Sequence, residues 1–344
     1  MNRVRSPGMA WTGAGVLLLI LALTVATALA GVGFGSTWIA PEKILAVVFG
    51  GGDKTEQLII LQLRLPRVVI AALAGGAMGV AGYLLQKVTR NSLASPGVLG
   101  VIDGAALGVV IFLAALSDES NALVTSIAFQ PAAAALGAFL AIGLVFALSG
   151  RQASSAIRLL LFGIAIAAVA KAATVILMLV GPIYRATQAA RWIAGAVNEV
   201  NWGEIQVTAA LLAPSLLLVL LMARKLPPAD LDEVSARAIG LDLPRFRILA
   251  FALAALLTAI AVAFVGGVGF IGLLAPHLAR LLLGRPVLPG LAGSFLLGAL
   301  MLMAADLIVR VLFAPVEVPA GTVTAVVGAP YFLYLLLRKG RTDG

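Results

Sequence analysis

Long apolar stretches separated by short polar segments dominate the pattern along this chain. A helix that crosses a bilayer needs about 20 mostly apolar residues, and ten stretches approach or exceed that length. The third and eighth are the weakest, because they are short and rich in glycine. The pattern therefore predicts an all-α, polytopic integral membrane protein with about ten transmembrane helices. The predicted spans cover residues 10–32, 68–87, 97–116, 127–148, 156–180, 205–223, 247–265, 269–283, 288–309 and 320–337.

Composition strengthens this prediction and excludes several kinds of site. Of 344 residues, 62% are hydrophobic and only 11% are charged, and the mean hydropathy is +1.10. Soluble domains carry about 25% charged residues, so most of this surface is predicted to face lipid. The chain has no cysteine, which excludes disulfides and thiolate metal sites. Its single histidine, His277, provides no cluster for a metal ion, so no directly bound metal or other cofactor is expected.

The distribution of basic residues predicts the orientation of the chain. With ten spans both termini lie on one side, and that side holds 16 of the 24 Lys and Arg residues. Both termini are therefore predicted to be cytoplasmic, and the net charge of +9 reflects this bias and not a nucleic-acid-binding face. Ala28-Leu29-Ala30 resembles a signal-peptide cleavage site, but the apolar run before it is long and its removal would leave an odd number of spans. The first stretch is therefore interpreted as an uncleaved helix.

Two loops are long enough to contain structure of their own. The external segment 33–67 contains Pro41 followed by a short apolar run, which predicts an interfacial helix that ends at the glycines of residues 50–52. The cytoplasmic segment 225–247 contains a run that begins with acids at 230 and ends with Arg237 and Gly240. That order complements a helix dipole and predicts a short helix. Spacing alone leaves open whether this segment is a solvated linker or a docking helix for a cytosolic partner.

Five separated motifs carry a resemblance to a known family. In chain order and at the family's spacing, they resemble FecCD-type permeases, the membrane subunits of ABC importers for ferric siderophores, haem and cobalamin. The resemblance covers nearly the whole chain from about residue 60. The motifs are Arg64 to Arg67, Gln86 to Gly108, Asp232 to Gly240, Gly266 to Arg280, and Ala305-Asp306 with Pro319 and Thr322 to Leu337.

The resemblance implies a type II ABC importer permease, folded as one transmembrane domain over residues 1–344, in the inner or cytoplasmic membrane of a bacterium. It is expected to pair with a second permease copy or paralogue, two cytosolic ATP-binding subunits and an external substrate-binding protein. The chain has no G-x-x-x-x-G-K-[ST] phosphate loop, so ATP and Mg are expected in the partner ATPase and the chain is not an enzyme. The expected substrate is a ferric siderophore, with haem or cobalamin as the alternative.

The same resemblance assigns residues to the two partner surfaces. It implies ATPase coupling by the cytoplasmic segment, through Asp232, Glu233, Arg237 and Gly240. On the external side it implies docking of acidic residues of the binding protein by Arg64, Arg67 and Arg310, since the arginine fork suits carboxylates. Positioning at the membrane interface is the alternative for these arginines. For Arg310, an ion pair with Asp306, four residues earlier, is a further alternative.

The passage is expected at the interface of two permeases, lined by the fifth and tenth spans. Lys171 lies mid-span, where a charge is costly unless it meets a cavity or a partner, and it does not belong to the family pattern. It is predicted to face the passage and attract an anionic chelate; the alternatives are a pair with Asp103 or snorkelling. The resemblance places a cytoplasmic gate at Asn91, Leu93, Ser154 and Ser155, although Ser92 replaces the family's usual proline.

Two other classes of function fit the sequence less well. An ion-coupled secondary transporter needs chains of buried acids, and only Asp103 and Asp306 lie near spans. An intramembrane enzyme needs a catalytic cluster, which one histidine, no cysteine and scattered carboxylates do not provide.

Overall fold

Most of the described chain is helical, as the apolar pattern predicts. The computed structural model describes residues 13–35, 38–117, 123–150, 155–181, 183–197, 200–228, 231, 233–314 and 316–340. A helix satisfies its own backbone hydrogen bonds, which is the requirement for a segment that lies in lipid. The α-helices in these ranges are α1 (Gly13–Gly33), α2 (Pro41–Val48), α3 (Lys54–Gln57), α4 (Leu65–Val88), α5 (Val101–Ala115), α6 (Gln130–Ser149), α7 (Ala156–Val180), α8 (Ile183–Ile193), α9 (Trp202–Met222), α10 (Glu233–Ala238), α11 (Leu243–Val265), α12 (Ile271–Leu283), α13 (Val287–Leu312) and α14 (Ala320–Gly340).

Ten of these helices coincide with the ten predicted spans. In the described ranges, seven helices are long and apolar enough to cross a membrane. The helices α5 and α12, which correspond to the weak third and eighth spans, are shorter, as is the apolar part of α14, Ala320–Tyr334. The all-α polytopic fold is therefore confirmed. The helix α8, between the fifth and sixth spans, was not predicted.

The segment between α1 and α4, which is predicted to be external, folds into two short helices. Helix α2 begins at Pro41 and is followed by Gly50, whose φ of +87° is easily reached only by glycine. Asp53 then caps α3 in a reciprocal capping box with Glu56. The ammonium of Lys43 lies 2.5 Å from a Glu56 carboxylate oxygen, and this contact raises the pKa of Lys43. The predicted short helix is confirmed, its position at the membrane interface stays a prediction, and the Lys43–Glu56 ion pair joins it to the helix that follows.

A π-helical turn over Leu58–Arg64 connects α3 to α4. Its cause is Pro66, which lacks an N–H and therefore cannot complete the α-helical hydrogen bond to the Gln62 carbonyl. At the end of the turn, the Leu65 N–H donates to the Ile60 carbonyl, five residues back. That shift leaves the Leu61 carbonyl without an intrahelical donor, because its π partner would be Pro66. The indole Nε1 of Trp202, at the start of α9, donates to this carbonyl at 2.8 Å.

Helix α4 is the central element of the bundle. In the continuous helix Lys54–Val88 the most apolar window is 83% buried, and α4 packs against α13, α11 and α12. Small residues allow this, because a Cβ on Gly75 would lie 2.3 Å from the Gly298 carbonyl oxygen, and one on Gly79 would lie 2.0 Å from that of Ser294. Four residues further along α4, from Gly75 to Gly79, the facing residue on α13 lies four residues earlier, from Gly298 to Ser294. The helices α4 and α13 therefore cross in antiparallel directions, with small residues at the contact. The sequence places glycines at 75, 79 and 82 on one helix face, which predicts close packing, and this prediction is confirmed.

Helices α1 and α7 lie at the periphery of the bundle. In each, only 22% of the most apolar window is buried within this chain. The exposed faces of α7 carry large apolar side chains, such as Leu161 and Val175, together with Lys171. These faces have the composition expected for contact with lipid or with a second membrane protein.

Candidate functional site

The end of the bundle that is predicted to be external contains a cluster formed by Arg64, Arg67, Asp306 and Arg310, hereafter the external arginine cluster. The Arg67 Nε donates to both Asp306 carboxylate oxygens, at 2.8 and 3.0 Å, which joins α4 to α13. The Arg310 Nε lies 3.4 Å from the same carboxylate, so the alternative of an intrahelical pair with Asp306 is confirmed. The Asp306 side chain is only 3% exposed. The buried Asp306 carboxylate therefore forms ion pairs with both Arg67 and Arg310.

Two arginines of this cluster also bind the end of α1. The Arg64 Nη1 donates to the carbonyls of Val32 and Gly33, at 2.9 and 2.8 Å, and the Arg310 Nη2 donates to that of Gly31 at 2.5 Å. The last carbonyls of a helix have no intrahelical donor and carry the negative end of the helix dipole, so cations stabilise them. The sequence analysis did not predict this contact, because the partners are 31 or more residues apart.

The geometry of the cluster bears on the predicted docking role of its arginines. Arg64 is only 6% exposed, and a Cβ on Gly35 would lie 2.8 Å from its guanidinium, so this side chain is enclosed. The side chains of Arg67 and Arg310 are 22% and 13% exposed. All three positions therefore have internal structural roles, and docking of a partner by them stays a prediction. With three arginines and one carboxylate, the cluster has an excess of positive charge at the end of the bundle that is predicted to be external.

At the predicted cytoplasmic end, the loop after α4 has a well-defined turn. The Asn91 side-chain oxygen accepts the Leu93 N–H at 3.0 Å, and the Ala94 N–H donates to the Asn91 carbonyl at 3.1 Å. Asn91 and Leu93, two of the predicted gate residues, therefore lie in one Asx turn. In the second predicted gate loop, Ser155 caps α7 by accepting the Arg158 N–H at 3.5 Å, and Ser154 lies outside the described residues. Their role as a gate stays a prediction.

The predicted coupling segment contains the short helix α10, which confirms the helix predicted after residue 230. Gly240 ends it in the left-handed conformation, with φ +82°, and the Leu241 N–H donates to the Ala236 carbonyl at 2.9 Å. Ala236 is fully buried against the bundle, whereas Val234 is 79% exposed. Asp232 lies outside the described residues, and Glu233 and Arg237 lie in α10 with side chains outside the description. Their coupling role stays a prediction.

Lys171 lies on an exposed face of α7. It interacts electrostatically with Asp103 on α5, but the two side chains are not among the ion pairs found within 4.0 Å in the described chain. The alternative of a direct pair with Asp103 therefore has only this longer-range interaction to support it. The prediction that Lys171 faces a passage concerns an assembly with a second chain and stays a prediction.

His277 on α12 packs against Tyr331 on α14, with ring centroids 6.2 Å apart in an edge-to-face arrangement. In the described part of the chain, no group of three or more His, Cys, Asp or Glu side chains could hold a metal ion. The sequence predicts a capping or packing role for His277, which follows Pro276, and the contact with Tyr331 agrees with packing.

Comparison with known proteins agrees with the fold and the motif pattern. The chain is 41% identical to the probable siderophore transport system permease protein YfhA of Bacillus subtilis (strain 168), over 94% of both chains. It is 37% identical to the achromobactin transport system permease protein CbrC of Dickeya dadantii (strain 3937), over 95% of this chain and 93% of that one. A solved metal-chelate type ABC transporter, in an inward-facing conformation, superposes with a TM-score of 0.83 at 26% identity, covering 94% of this chain and 99% of the other. A sequence profile of the FecCD transport family matches residues 19–338, and the chain belongs to that family.

Proposed function

We propose that this chain is the membrane-spanning subunit of an ATP-driven importer of ferric siderophore complexes. The observation that carries the proposal is the 41% identity, over 94% of both chains, with a relative named as a siderophore transport permease. The sequence has no phosphate-binding loop, so a separate subunit hydrolyses the ATP. The chain acts mechanically: it forms the passage and changes its access when its partner binds and hydrolyses nucleotide.

The proposed complex contains two permeases, two ATPases and an external binding protein. The positive-inside bias supports an inner-membrane protein with both termini and α10 in the cytoplasm. Exposed apolar side chains on and beside α10, with Val234 79% and Ile239 59% exposed, are suited to a cleft in the ATPase. The excess positive charge of the external arginine cluster is suited to acidic residues of the binding protein.

Lys171 supplies the passage with a positive charge. A charged lysine side chain near the middle of a spanning helix has a high free-energy cost in lipid. The exposed position of Lys171 therefore supports a water-filled passage beside it in the assembly. A cation there attracts anionic chelates and discriminates little among their shapes. Selectivity for one chelate therefore resides mainly in the binding protein.

The substrate is tested by uptake into proteoliposomes that contain the permease with its partner ATPase and binding protein. A panel of radiolabelled ferric siderophores is compared with haem and cobalamin. We expect ATP-dependent uptake of at least one ferric siderophore and none of the other two. Uptake of haem or cobalamin alone would contradict the proposed substrate class while leaving the importer intact.

The role of Lys171 is tested with Lys171→Met and the charge-retaining Lys171→Arg. Arg158→Met serves as the matched control, because it removes an exposed cation at the end of the same helix. We expect Lys171→Met to lower kcat/KM for anionic chelates roughly tenfold and to leave uncharged chelates unaffected, with Lys171→Arg and Arg158→Met close to wild type. Equal uptake by Lys171→Met across chelates of every charge would show that the residue does not act on the substrate.

A further inference from the structure

One hydrogen bond joins the predicted gate loop to the predicted coupling segment. The guanidinium of Arg90, in the loop that follows α4, donates through Nη2 to the backbone carbonyl of Leu231, which lies two residues before α10. The two residues are 141 positions apart in sequence. The contact therefore connects two parts of the cytoplasmic surface that the chain itself connects only through the whole of α5 to α9.

The backbone conformation of Arg90 is unusual for a residue with a side chain. Its φ is +52°, in the left-handed region where Gly is favoured and Asn tolerated. In the described part of the chain only one other non-glycine residue, Phe270, has a positive φ. Glycine would adopt this conformation more easily than arginine. Backbone outliers of this kind are found often at functional positions, which motivates a functional hypothesis for the Arg90 side chain.

Both ends of the bond are tied into ordered structure. On the gate side, the Thr89 hydroxyl donates to the Leu85 carbonyl at 2.7 Å and accepts the Asn91 N–H at 3.3 Å, so the loop is bonded to the last turn of α4. On the other side, the Leu231 N–H donates to the Pro228 carbonyl at 3.1 Å. The Arg90 bond therefore joins the loop that contains Asn91 and Leu93 to the turn that comes just before α10.

We infer that Arg90 is a positioning residue that transmits movement of the coupling segment to the gate loop. This inference rests on the proposed function. A guanidinium suits the role because it stays charged and presents five donors in a rigid fork, and because a charge-assisted bond to a carbonyl is stronger than a neutral one. Arg90 keeps ATP hydrolysis and gate opening in step without contacting either the nucleotide or the substrate.

The test measures uptake and ATP hydrolysis together in the reconstituted complex. Arg90→Asn keeps a residue that accepts the left-handed conformation but is too short to reach Leu231. Arg90→Lys keeps the charge and the reach, and Arg285→Ala is the matched control, since it removes an exposed arginine at the same end of the bundle. We expect Arg90→Asn to lower uptake roughly tenfold while ATP hydrolysis stays within roughly twofold, Arg90→Lys to retain part of the uptake, and Arg285→Ala to match wild type.

Equal losses of uptake and hydrolysis in Arg90→Asn, or no loss of either, would overturn the inference. If the wild-type complex itself shows no ATP-driven uptake, the proposed function fails, and this result is distinct from failure of the inference.

A second measurement covers the case in which Arg90→Asn assembles poorly. The chain has no cysteine, so spin labels can be attached at Ser92→Cys and Leu231→Cys without further changes, and the labelled Leu231 keeps the backbone carbonyl that Arg90 binds. We expect one narrow distance distribution with and without nucleotide, and a broad one when Arg90→Asn is added. A distribution that is equally narrow in both backgrounds would show that Arg90 does not join the two segments.

Discussion

The crossing of α4 and α13 offers the sharpest test of the fold, because two glycines place backbone against backbone. A Cβ on Gly75 would lie 2.3 Å from the Gly298 carbonyl oxygen, whereas ordinary contact begins at 3.4 Å. Gly75→Ala therefore requires a local separation of the helices by about 1.1 Å, the difference of those distances. A Cβ on Gly298 would lie 2.1 Å from the Gly75 carbonyl oxygen, so the reciprocal substitution meets the same obstacle.

The expected cost follows from these distances. Overpacking a close-packed interface costs about 1–3 kcal/mol, and the upper part of that range applies because no flexible side chain can give way. Alanine is more stable than glycine in a helix interior by roughly 0.5–1 kcal/mol, and this difference offsets part of the overpacking cost. We expect Gly75→Ala to destabilise the protein by about 1–2 kcal/mol, and the pair Gly75→Ala/Gly298→Ala to cost less than the sum, because the first substitution already separates the helices.

The assay is thermal unfolding of the purified permease in detergent, followed by tryptophan fluorescence. Gly143→Ala on α6 is the matched control, because a Cβ there meets nothing within 4 Å. The unfolding midpoint should fall by roughly 1–3 °C in Gly75→Ala and should not fall in Gly143→Ala. A Gly75→Ala midpoint equal to that of the control would refute the close crossing of α4 and α13.

Two further predictions concern polar contacts between helices. Asp306→Asn removes the carboxylate that Arg67 and Arg310 share. The same assay should show that the free energy of unfolding falls by about 3 kcal/mol, because a buried charge without its partner is destabilising. An unchanged midpoint would mean that the arginines are solvated. Trp202→Phe leaves the Leu61 carbonyl without its donor and should cost about 1–2 kcal/mol, measured as a lower midpoint, whereas a difference within experimental error would show that water replaces the indole.

Much of the fold could be predicted from the sequence, because the signal for a membrane span is local. The ten apolar stretches correspond to ten helices, and Pro41 begins α2 while Gly240 ends α10, as their backbone preferences require. The glycines of α4 indicated a small-residue interface, although the sequence could not say that α13 is the partner. The length and composition of each segment were sufficient for these elements.

The contacts of the polar side chains could not be predicted in the same way. Arg64 matched a family position expected at a docking surface, and the structure adds its hydrogen bonds to the end of α1. The π turn before Pro66 and its closure by Trp202 depend on a residue in another helix. Such contacts join residues far apart in sequence, and without the packing of the helices nothing in the local pattern indicates them.

The central claim, that the chain works in an ATP-driven importer, is tested most directly by one uptake measurement. Proteoliposomes containing the full complex receive a radiolabelled ferric siderophore with and without ATP, in each case with and without ionophores that collapse proton and sodium gradients. The account predicts uptake that requires ATP and is unaffected by the ionophores. Uptake that continues without ATP and stops when the gradients collapse would contradict it, and would identify the chain as an ion-coupled carrier.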